Sequence, residues 1–308
     1  MTARYDTAMT RLRAGGVMIL DGGVSTELEK RGAAMDDAAW SGRVALDDYQ
    51  RLVEVHLSFI EAGAEIITTN TYATSRLVLE RAGLGGRVEE INRRAVEAAF
   101  EARARSGRDD ILVAGSVSHM IPVEPGGYGP DLSRDPPKAE LCAVFEEMRR
   151  LHERLGVDVV LLEMLSAPTR MEAMFEAMEG ATLPVWCGLA ARRTDEGLRA
   201  WHDPDTPFAD IAAMAAGQGF HALGIMHSSA ELIGAALDDL RAVFDGPLMA
   251  YPDSGYFEMP HWKFVDVIAP GRLSEMAEDW RSRGAQVIGG CCGLGPEHIA
   301  ALSPLRTA

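Results

Sequence analysis

The stretch Glu61-Ala62-Gly63-Ala64-Glu65-Ile66-Ile67-Thr68-Thr69-Asn70 contains the unit from which the fold can be predicted. An amphipathic pattern over 48–62 predicts a helix, and Gly63 follows that helix where a left-handed cap is favoured. The short apolar run 65–69 then predicts a buried strand, which ends at the polar residue Asn70. Helix, turn, strand and polar end together form the repeating unit of a parallel α/β sheet.

The same alternation of short apolar runs and longer amphipathic segments continues along the chain. The predicted strands are 17–20, 65–69, 111–115, 157–162, 185–189, 222–226, 248–251 and 286–288. The predicted helices are 48–62, 87–105, 138–155, 168–178, 207–216, 229–243, 274–283 and 296–302. Repeated βα units of this number predict an α/β protein with a closed (β/α)8 TIM barrel. Because no linker interrupts the pattern, we expect a single domain over residues 1–308.

Composition and charge exclude several classes of partner. The 308 residues are 47% hydrophobic, which is typical of an ordinary soluble α/β protein. A formal net charge of -16 repels phosphate backbones and anionic lipid, so we expect no nucleic-acid and no membrane partner. The N-terminal segment lacks the apolar core of a secretory signal, which favours a cytoplasmic location. Small-molecule ligands fit this profile best, and a homo-oligomer is compatible with it.

The stretch Gly289-Gly290-Cys291-Cys292-Gly293 places two adjacent thiols between glycines after the last predicted strand. Thiolates are strong zinc ligands, and the glycines permit the turn that two neighbouring cysteines need in order to face one ion. A strained vicinal disulfide and a pair of inert buried thiols are the alternative interpretations. The motif therefore predicts part of a Zn²⁺ site without excluding those two alternatives.

His227 follows the sixth predicted strand and is the candidate third ligand. In a barrel of this kind the active site lies at the carboxyl ends of the strands, and strands six and eight flank strand seven. An imidazole and two thiolates with one open position would form a catalytic rather than a structural zinc site. Other polar residues that follow predicted strands are Asp21, Asn70, Tyr72, Ser116, His119, Glu163 and Asp253.

These motifs resemble those of the homocysteine S-methyltransferase family, whose zinc-dependent barrel also forms the homocysteine-binding module of larger methionine synthases. The resemblance spans nearly the whole chain. It runs from Leu20-Asp21-Gly22-Gly23 through Leu162-Glu163 and Tyr251-Pro252-Asp253 to the double-cysteine stretch. A zinc-dependent (β/α)8 barrel that transfers methyl groups to a thiol is what this resemblance implies.

The resemblance also implies roles for individual residues. Cys291 and Cys292 match two zinc thiolates, and Asp21 and Glu163 match carboxylates that hold the ammonium group of the amino acid. The Gly22 region offers backbone amides to the carboxylate of the same substrate. Three further residues fall near the methyl donor in the family pattern, namely Trp40, Asn70 and Tyr72. Without the resemblance, Asp21 would be interpreted as a turn cap, Glu163 as part of a rim salt bridge, and the two aromatic residues as packing.

Three departures from the family pattern affect the expected chemistry. Met226-His227 stands where the family has Asn-Cys, so an imidazole replaces the third thiolate. Two thiolates and a neutral imidazole leave less negative charge on the ion, which makes it a stronger Lewis acid. Met164 replaces a common threonine, and the loop at Gly126-Gly127-Tyr128, within the proline-rich segment 118–137 that we expect to cover the barrel mouth, also departs from the pattern.

Methyl transfer from a small sulfonium or ammonium donor to a thiol, with homocysteine as the expected acceptor and methionine as the product, is the leading functional hypothesis. S-methylmethionine, S-adenosylmethionine and betaine-like compounds are candidate donors, and another thiol or a selenol is an alternative acceptor. A His/Cys/Cys zinc enzyme that activates water for hydrolysis is a second hypothesis. A non-catalytic ligand-binding barrel is a third, because a fold does not determine a function.

Overall fold

The computed structural model describes residues 2–123, 126 and 132–307 of the chain. The strands are β1 (Met18–Ile19), β2 (Ile66–Thr68), β3 (Leu112–Ser118), β4 (Val159–Leu165), β5 (Val185–Leu189), β6 (Ala191–Thr194), β7 (Gly197–Ala200), β8 (Ala222–Ser229), β9 (Leu248–Asp253), β10 (Tyr256–Glu258), β11 (His261–Lys263) and β12 (Ala285–Ile288). An 8-stranded parallel sheet has the order β1-β12-β9-β8-β5-β4-β3-β2, and a parallel bridge from Leu20 to Ile66 joins its two ends. The predicted (β/α)8 barrel is therefore confirmed.

Helices surround the barrel and connect its strands. They are α1 (Ala3–Arg13), α2 (Val24–Lys30), α3 (Val44–Asp47), α4 (Tyr49–Glu61), α5 (Arg76–Arg81), α6 (Val88–Ser106), α7 (Lys138–Leu155), α8 (Pro168–Met178), α9 (Phe208–Ala216), α10 (Ala230–Val243), α11 (Pro270–Ser282) and α12 (Pro296–Leu302). Short 3-10 turns lie at Gly85–Arg87, Leu132–Arg134 and Ser303–Leu305. In the part of the chain that the structure describes, none of these helices combines the length and the apolar character needed to cross a bilayer.

The predicted boundaries are accurate for α7, α8, α12 and β5, whereas several barrel strands are longer than predicted. Strands β3, β4, β8 and β9 continue by two or three residues into polar side chains such as Glu163 and His227. Polar residues were interpreted as the ends of strands, but at this rim the parallel pairing continues through them. Helix α11 begins at Pro270 rather than at Ser274, because proline suits the first helical turn.

Two antiparallel hairpins that the sequence analysis did not predict stand on the barrel rim. The first, β6 with β7, follows strand β5, and the second, β10 with β11, follows strand β9. The first hairpin leads into Trp201, and the second contains Trp262. The predicted loop at Gly126-Gly127-Tyr128 lies mostly outside the described residues. Among the described residues, the two hairpins thus cover the mouth of the barrel.

Helix α1 was also not predicted, and it closes the end of the barrel opposite to the hairpins. Its apolar residues Tyr5, Met9 and Leu12 are buried and pack with side chains of the barrel interior. The indole Nε1 of Trp186 on β5 donates a hydrogen bond to the Tyr5 hydroxyl at 3.0 Å. The core therefore has two parts, one inside the barrel and one between the barrel and its helices.

Leu12 offers a test of how much α1 contributes to stability. Its side chain is 0% exposed, and Leu12→Ala should lower the free energy of unfolding by about 2–5 kcal/mol, because it removes buried apolar contacts and leaves a cavity. Urea denaturation followed by circular dichroism measures the change. The control is Thr10→Ala on the exposed face of α1, which should change stability by less than about 0.5 kcal/mol. Equal stability of the Leu12 variant and the wild type would show that α1 does not belong to the cooperative core.

His56 on α4 should make the fold sensitive to acid. The residue is fully buried, neither ring nitrogen has a hydrogen-bond partner among the described residues, and burial lowers its pKa to about 3. In the unfolded chain a histidine has a pKa of about 6.5, so protons bind the unfolded state first as the pH falls. This residue therefore costs up to about 1.4 kcal/mol of stability per pH unit between the two pKa values.

His56→Leu removes both the titration and the two unpaired nitrogens. The variant should lose less stability than the wild type when the pH is lowered from 7 to 5, and urea midpoints at the two pH values measure this difference. Parallel losses in the two proteins would contradict the assignment of the acid sensitivity to His56.

Candidate metal centre and substrate cavity

The carboxyl ends of the barrel strands open into one cavity of about 1040 Å³, a volume that includes space open to solvent. The residues predicted from the sequence as site residues all line this cavity, and they are Asp21, Gly22, Trp40, Asn70, Tyr72, Glu163, His227, Cys291 and Cys292. The structure thus brings together side chains from remote parts of the sequence. The individual roles of these residues are predictions.

His227, Cys291 and Cys292 form a cluster whose geometry suits a metal ion. The Nδ1 atom of His227 lies 3.8 Å from the Sγ atom of Cys291, and the two Sγ atoms are 3.8 Å apart. The three candidate ligand atoms all lie within 4.8 Å of one another. Two sulfur ligands about 2.3 Å from a tetrahedral zinc ion would be roughly 3.8 Å apart. Both the spacing and the sulfur and nitrogen donors therefore fit zinc.

Glycines make the turn beside the two cysteines possible. A Cβ atom at Gly289 would lie 2.7 Å from the Leu20 side chain and 2.8 Å from the Asp21 carbonyl oxygen. Gly293 has a φ of +82°, and a Cβ atom there would lie 1.9 Å from the Ser254 carbonyl oxygen. Larger residues would therefore push the backbone away from both neighbouring loops. This supports the expectation that glycines let adjacent cysteines face one ion.

The thiols themselves favour a cation. A hydrogen bond to Cys292 and burial raise the pKa of the Cys291 thiol well above its usual range, although His227 acts in the opposite direction. Two adjacent buried thiols resist simultaneous ionisation because each thiolate repels the other. A divalent cation removes this repulsion and deprotonates coordinating thiols. All four cysteines of the chain are free, so the vicinal disulfide is not formed in this structure.

Three residues surround the His227 ring and limit its orientation. Asp253 places Oδ2 3.5 Å from His227 Nδ1, and the rings of Trp201 and Trp262 each contact the imidazole edge to face with centroids 5.8 Å away. Burial lowers the pKa of His227, but Asp253 and Cys291 outweigh this and raise the pKa to about 9. Asp253 was predicted at the rim without a role. Neither tryptophan was predicted as a site residue, because both come from the unpredicted hairpins.

Asp21 and Glu163 are buried carboxylates that line the cavity near this cluster. Asp21 accepts hydrogen bonds from the backbone N–H of Thr68 at 2.7 Å and from its hydroxyl at 3.1 Å, and Glu163 accepts one from the Ser116 hydroxyl. Burial raises the pKa of Glu163 to about 7 despite the Ser116 hydrogen bond. Burial also raises the pKa of Asp21 well above its usual range, and the charge of Glu163 adds to this effect.

Neither carboxylate has the structural role that its position alone predicted, which was a turn cap for Asp21 and a rim salt bridge for Glu163. Asp21 bonds to Thr68 on the neighbouring strand instead of capping its own turn. Glu163 forms no salt bridge with any residue in the described ranges. A ligand with a positive charge would therefore relieve the unfavourable burial of both groups.

The predicted donor-side residues have two different environments. Trp40 packs edge to face against Tyr72 and Phe257, with ring centroids 6.2 Å and 5.1 Å away. These rings form an aromatic wall of the cavity. Asn70 is instead used within the protein, because it donates to the Ser41 carbonyl at 3.0 Å and accepts from the Ser41 hydroxyl at 3.0 Å. The structure therefore gives Asn70 a role in fixing the Ser41 turn.

Backbone strain is concentrated at the cavity. Among the described non-glycine residues, positive φ occurs at Trp40 (+49°), Met164 (+66°), His227 (+42°) and Asp266 (+50°), and the first three line the cavity. A left-handed conformation costs a non-glycine residue about 1–2 kcal/mol. At Met164 and His227 this conformation coincides with register shifts in β4 and β8. Strain of this kind is typical of sites that hold side chains for binding or catalysis.

Comparison with known proteins identifies the family. The model of the family described as homocysteine S-methyltransferase matches residues 18–305. A homocysteine S-methyltransferase of Escherichia coli (strain K12) is 30% identical over an alignment of 310 positions that covers 93% of this chain and 94% of the relative. A selenocysteine Se-methyltransferase of Brassica oleracea var. italica is 27% identical, with 94% of this chain and 88% of the relative covered.

A solved structure agrees with these relatives. The metallated form of the Escherichia coli homocysteine methyltransferase MmuM has a TM-score of 0.74 and 27% sequence identity to this chain, and the match covers 94% of this chain and 96% of that one. The family match extends from β1 to beyond the double-cysteine turn and includes every barrel strand. This chain therefore belongs to the homocysteine S-methyltransferase family.

Proposed function

We propose that this protein is a zinc-dependent S-methyltransferase that transfers a methyl group from a small sulfonium or ammonium donor to homocysteine and forms methionine. The observation that carries the proposal is the meeting of a His/Cys/Cys cluster with two buried carboxylates in one cavity. In this proposal residues 1–308 act as one domain. The reduced cytoplasm is the proposed location, because it keeps thiol ligands and thiol substrates reduced.

His227, Cys291 and Cys292 are the proposed zinc ligands. Zinc, when bound, would supply the positive charge that lets a substrate thiol lose its proton near neutral pH, where a free thiol with a pKa of about 8.5 is mostly protonated. The chain contributes the orientation of the imidazole and the exclusion of water through the rings of Trp201 and Trp262. A hydrophobic surround strengthens electrostatic interactions within the site.

Asp21 and Glu163 are the proposed partners of the ammonium group of homocysteine. Both carboxylates are buried and neither forms a salt bridge with a described residue, and the bound ammonium group would favour their ionised forms. Gly22 lies in the cavity lining beside Asp21, where backbone amides can meet the carboxylate of the substrate. These contacts would hold the acceptor with its sulfur directed to the cysteine cluster.

The aromatic wall of Trp40, Tyr72 and Phe257 is the proposed contact surface for the methyl donor. Aromatic faces attract sulfonium and ammonium groups through their quadrupoles, by about 0.5–2 kcal/mol for each favourable contact. Asn70 supports this wall indirectly, since it fixes the turn at Ser41 next to Trp40. A cationic donor is therefore preferred over a neutral one.

The transfer itself is a single displacement. An electron pair of the acceptor sulfur forms a bond to the methyl carbon, while the bond from that carbon to the donor sulfur or nitrogen breaks. The electrons of the broken bond stay on the donor atom, which leaves as a neutral thioether or amine, and the thiol proton passes to water. Holding both molecules in line at contact distance supplies much of the rate enhancement in reactions of this type.

Methyl transfer can be tested directly. Purified protein loaded with zinc should convert homocysteine to methionine with at least one of S-methylmethionine, S-adenosylmethionine and glycine betaine. Mass spectrometry detects the product, and a thiol reagent measures the loss of homocysteine. Omission of each substrate in turn is the control. If no thiol or selenol becomes methylated with any donor, the proposed function is wrong.

Metal analysis tests the ligand assignment. Cys291→Ser should lose most of the bound zinc and His227→Ala should bind zinc more weakly, because each removes one of three protein ligands. Cys142→Ser is the matched control, since Cys142 lies on α7 away from the cavity and should leave the zinc content unchanged. Full zinc occupancy in both cluster variants would refute the assignment.

Glu163→Gln tests the ammonium pocket. The amide keeps the shape of Glu163 but lacks its charge, so the KM for homocysteine should rise by about 10-fold, as expected for the loss of a charge-assisted contact. The KM for the donor should change much less, and steady-state kinetics with each substrate varied in turn separates the two effects. An unchanged KM for homocysteine would remove Glu163 from the pocket.

A further inference from the structure

Ser116 on strand β3 lines the cavity and has no role in the function proposed above. Its hydroxyl donates a hydrogen bond to the Oε2 atom of Glu163 on the neighbouring strand β4. The Oε1 atom of Glu163 has no hydrogen-bond partner among the described residues, and Glu163 is 8% exposed at the cavity. The protein thus holds one oxygen of this carboxylate and leaves the other for a ligand.

A ring of three hydrogen bonds fixes the backbone of Ser116. Its N–H donates to Oγ1 of Thr69 at 3.1 Å, and its carbonyl oxygen accepts from Oγ1 of Thr71 at 2.7 Å. The two threonine oxygens lie 2.7 Å apart. Because Thr71 gives its only hydroxyl proton to the carbonyl, the hydroxyl of Thr69 must donate to Thr71. All three hydrogen bonds therefore run in one direction around the ring, so that each strengthens the next.

His152 on α7 supports this ring from outside the barrel. Its Nε2 atom lies 3.3 Å from Oγ1 of Thr71, which has no proton left to donate, so the imidazole supplies the N–H of this contact. Burial lowers the pKa of His152 to about 4, and the ring is therefore neutral with its one proton on Nε2. Gly115 permits the close approach, because a Cβ atom there would lie 2.8 Å from Cγ of His152.

This support is rigid because all of its members are buried. The exposed fractions are 1% for Ser116, 3% for Thr69 and 0% for Thr71 and His152. A buried hydroxyl whose proton has a single available acceptor cannot rotate without leaving a polar group unpaired, which costs stability. Glutamate has a long and flexible side chain, so a fixed hydroxyl beside it restricts the positions that its carboxylate can adopt.

We propose that Ser116 is a positioning residue for the acceptor, because it fixes the Glu163 carboxylate with Oε1 directed to the bound ammonium group. This inference rests on the proposed function, in which Glu163 binds that group. Asp21 is held in a comparable way, by the N–H and the hydroxyl of Thr68. Both carboxylates are therefore oriented before the acceptor arrives, which lowers the cost of ordering the pocket on binding.

Kinetics of Ser116→Ala test the proposal. With zinc-loaded protein the KM for homocysteine should rise about 5-fold, because the carboxylate loses the hydrogen bond that orients it, while kcat and the KM for the donor should change less than about 2-fold. A general loss of structure would instead change both KM values and kcat. An unchanged KM for homocysteine, or equal changes in both KM values, would overturn the proposal.

Ser75→Ala is the matched control for the loss of a buried hydroxyl. Ser75 is 4% exposed, its hydroxyl has no hydrogen-bond partner among the described residues, and it does not line the cavity. Both KM values should therefore equal those of the wild type. If Ser116→Ala does not fold, Thr71→Val removes the ring of hydrogen bonds at nearly constant shape and should raise the KM for homocysteine in the same direction. An unchanged KM in folded Thr71→Val would then refute the proposal.

A binding experiment tests the same contact without any chemistry. L-methionine, the proposed product, carries the ammonium group of the acceptor, and isothermal titration calorimetry measures its binding to the metal-free protein. Its Kd should rise about 5-fold in Ser116→Ala and stay at the wild-type value in Ser75→Ala. Equal Kd values in Ser116→Ala and the wild type would contradict the positioning role.

A double-mutant cycle shows whether Ser116 acts through Glu163. If it does, adding Ser116→Ala to Glu163→Gln should raise the KM for homocysteine by less than about 2-fold, because the charge that the hydroxyl orients is already absent. The same factor in both backgrounds would mean that the two residues act independently and would overturn the proposal.

The results also separate this proposal from the proposed function. Weaker binding of L-methionine by Ser116→Ala, without methyl transfer from any donor, would support the positioning role and refute the proposed function. Methyl transfer with a KM for homocysteine that does not depend on Ser116 would support the proposed function and refute the positioning role.

Discussion

The metal centre depends on close backbone contact where the last strand, β12, enters the sheet between β1 and β9. The N–H of Gly290 donates to the Asp21 carbonyl at 3.0 Å, and the N–H of Cys291 donates to the Pro252 carbonyl at 2.7 Å. A side chain at Gly289 would collide with Leu20 and Asp21 and would push the end of β12 away from the end of β1. The contacts that close the barrel are thus the ones that fix both thiols and hold a carboxylate in the cavity. The fold and the site therefore depend on the same backbone contacts.

The electrostatic interactions in the cavity favour positively charged ligands. Burial raises the pKa values of Asp21 and Glu163, and the hydrogen bond with Cys292 together with burial raises that of Cys291, so three acidic groups in one cavity are held under conditions that disfavour their negative charge. Positively charged ligands relieve this cost, whether the ligand is a metal ion, an ammonium group or a sulfonium group. Arg170 is the exception, since it is a buried cation in the same lining. Its charge is already balanced by the ion pair with Asp135, so the buried acidic groups decide which charge of ligand the cavity favours.

The barrel and most of the cavity could be predicted from the sequence because both follow from local patterns. Apolar runs that end in polar residues placed Asp21, Glu163 and His227 at the rim, and the turn at the double cysteine required its glycines. Trp201 and Trp262 could not be predicted, because short exposed hairpins carry no strong periodicity and the two rings meet His227 only in the folded chain. The role of Asn70 within the protein was hidden for the same reason, since its partner at Ser41 is remote in sequence.

The position of helix α1 limits the route by which substrates and products reach and leave the cavity. Tyr5, Met9 and Leu12 fill the end of the barrel opposite to the cavity. Both substrates and both products must therefore enter and leave through the rim, past the tryptophan rings of the hairpins. Whichever molecule lies deeper has to arrive first and depart last, so the architecture imposes an order on exchange that the chemistry of the reaction does not itself require.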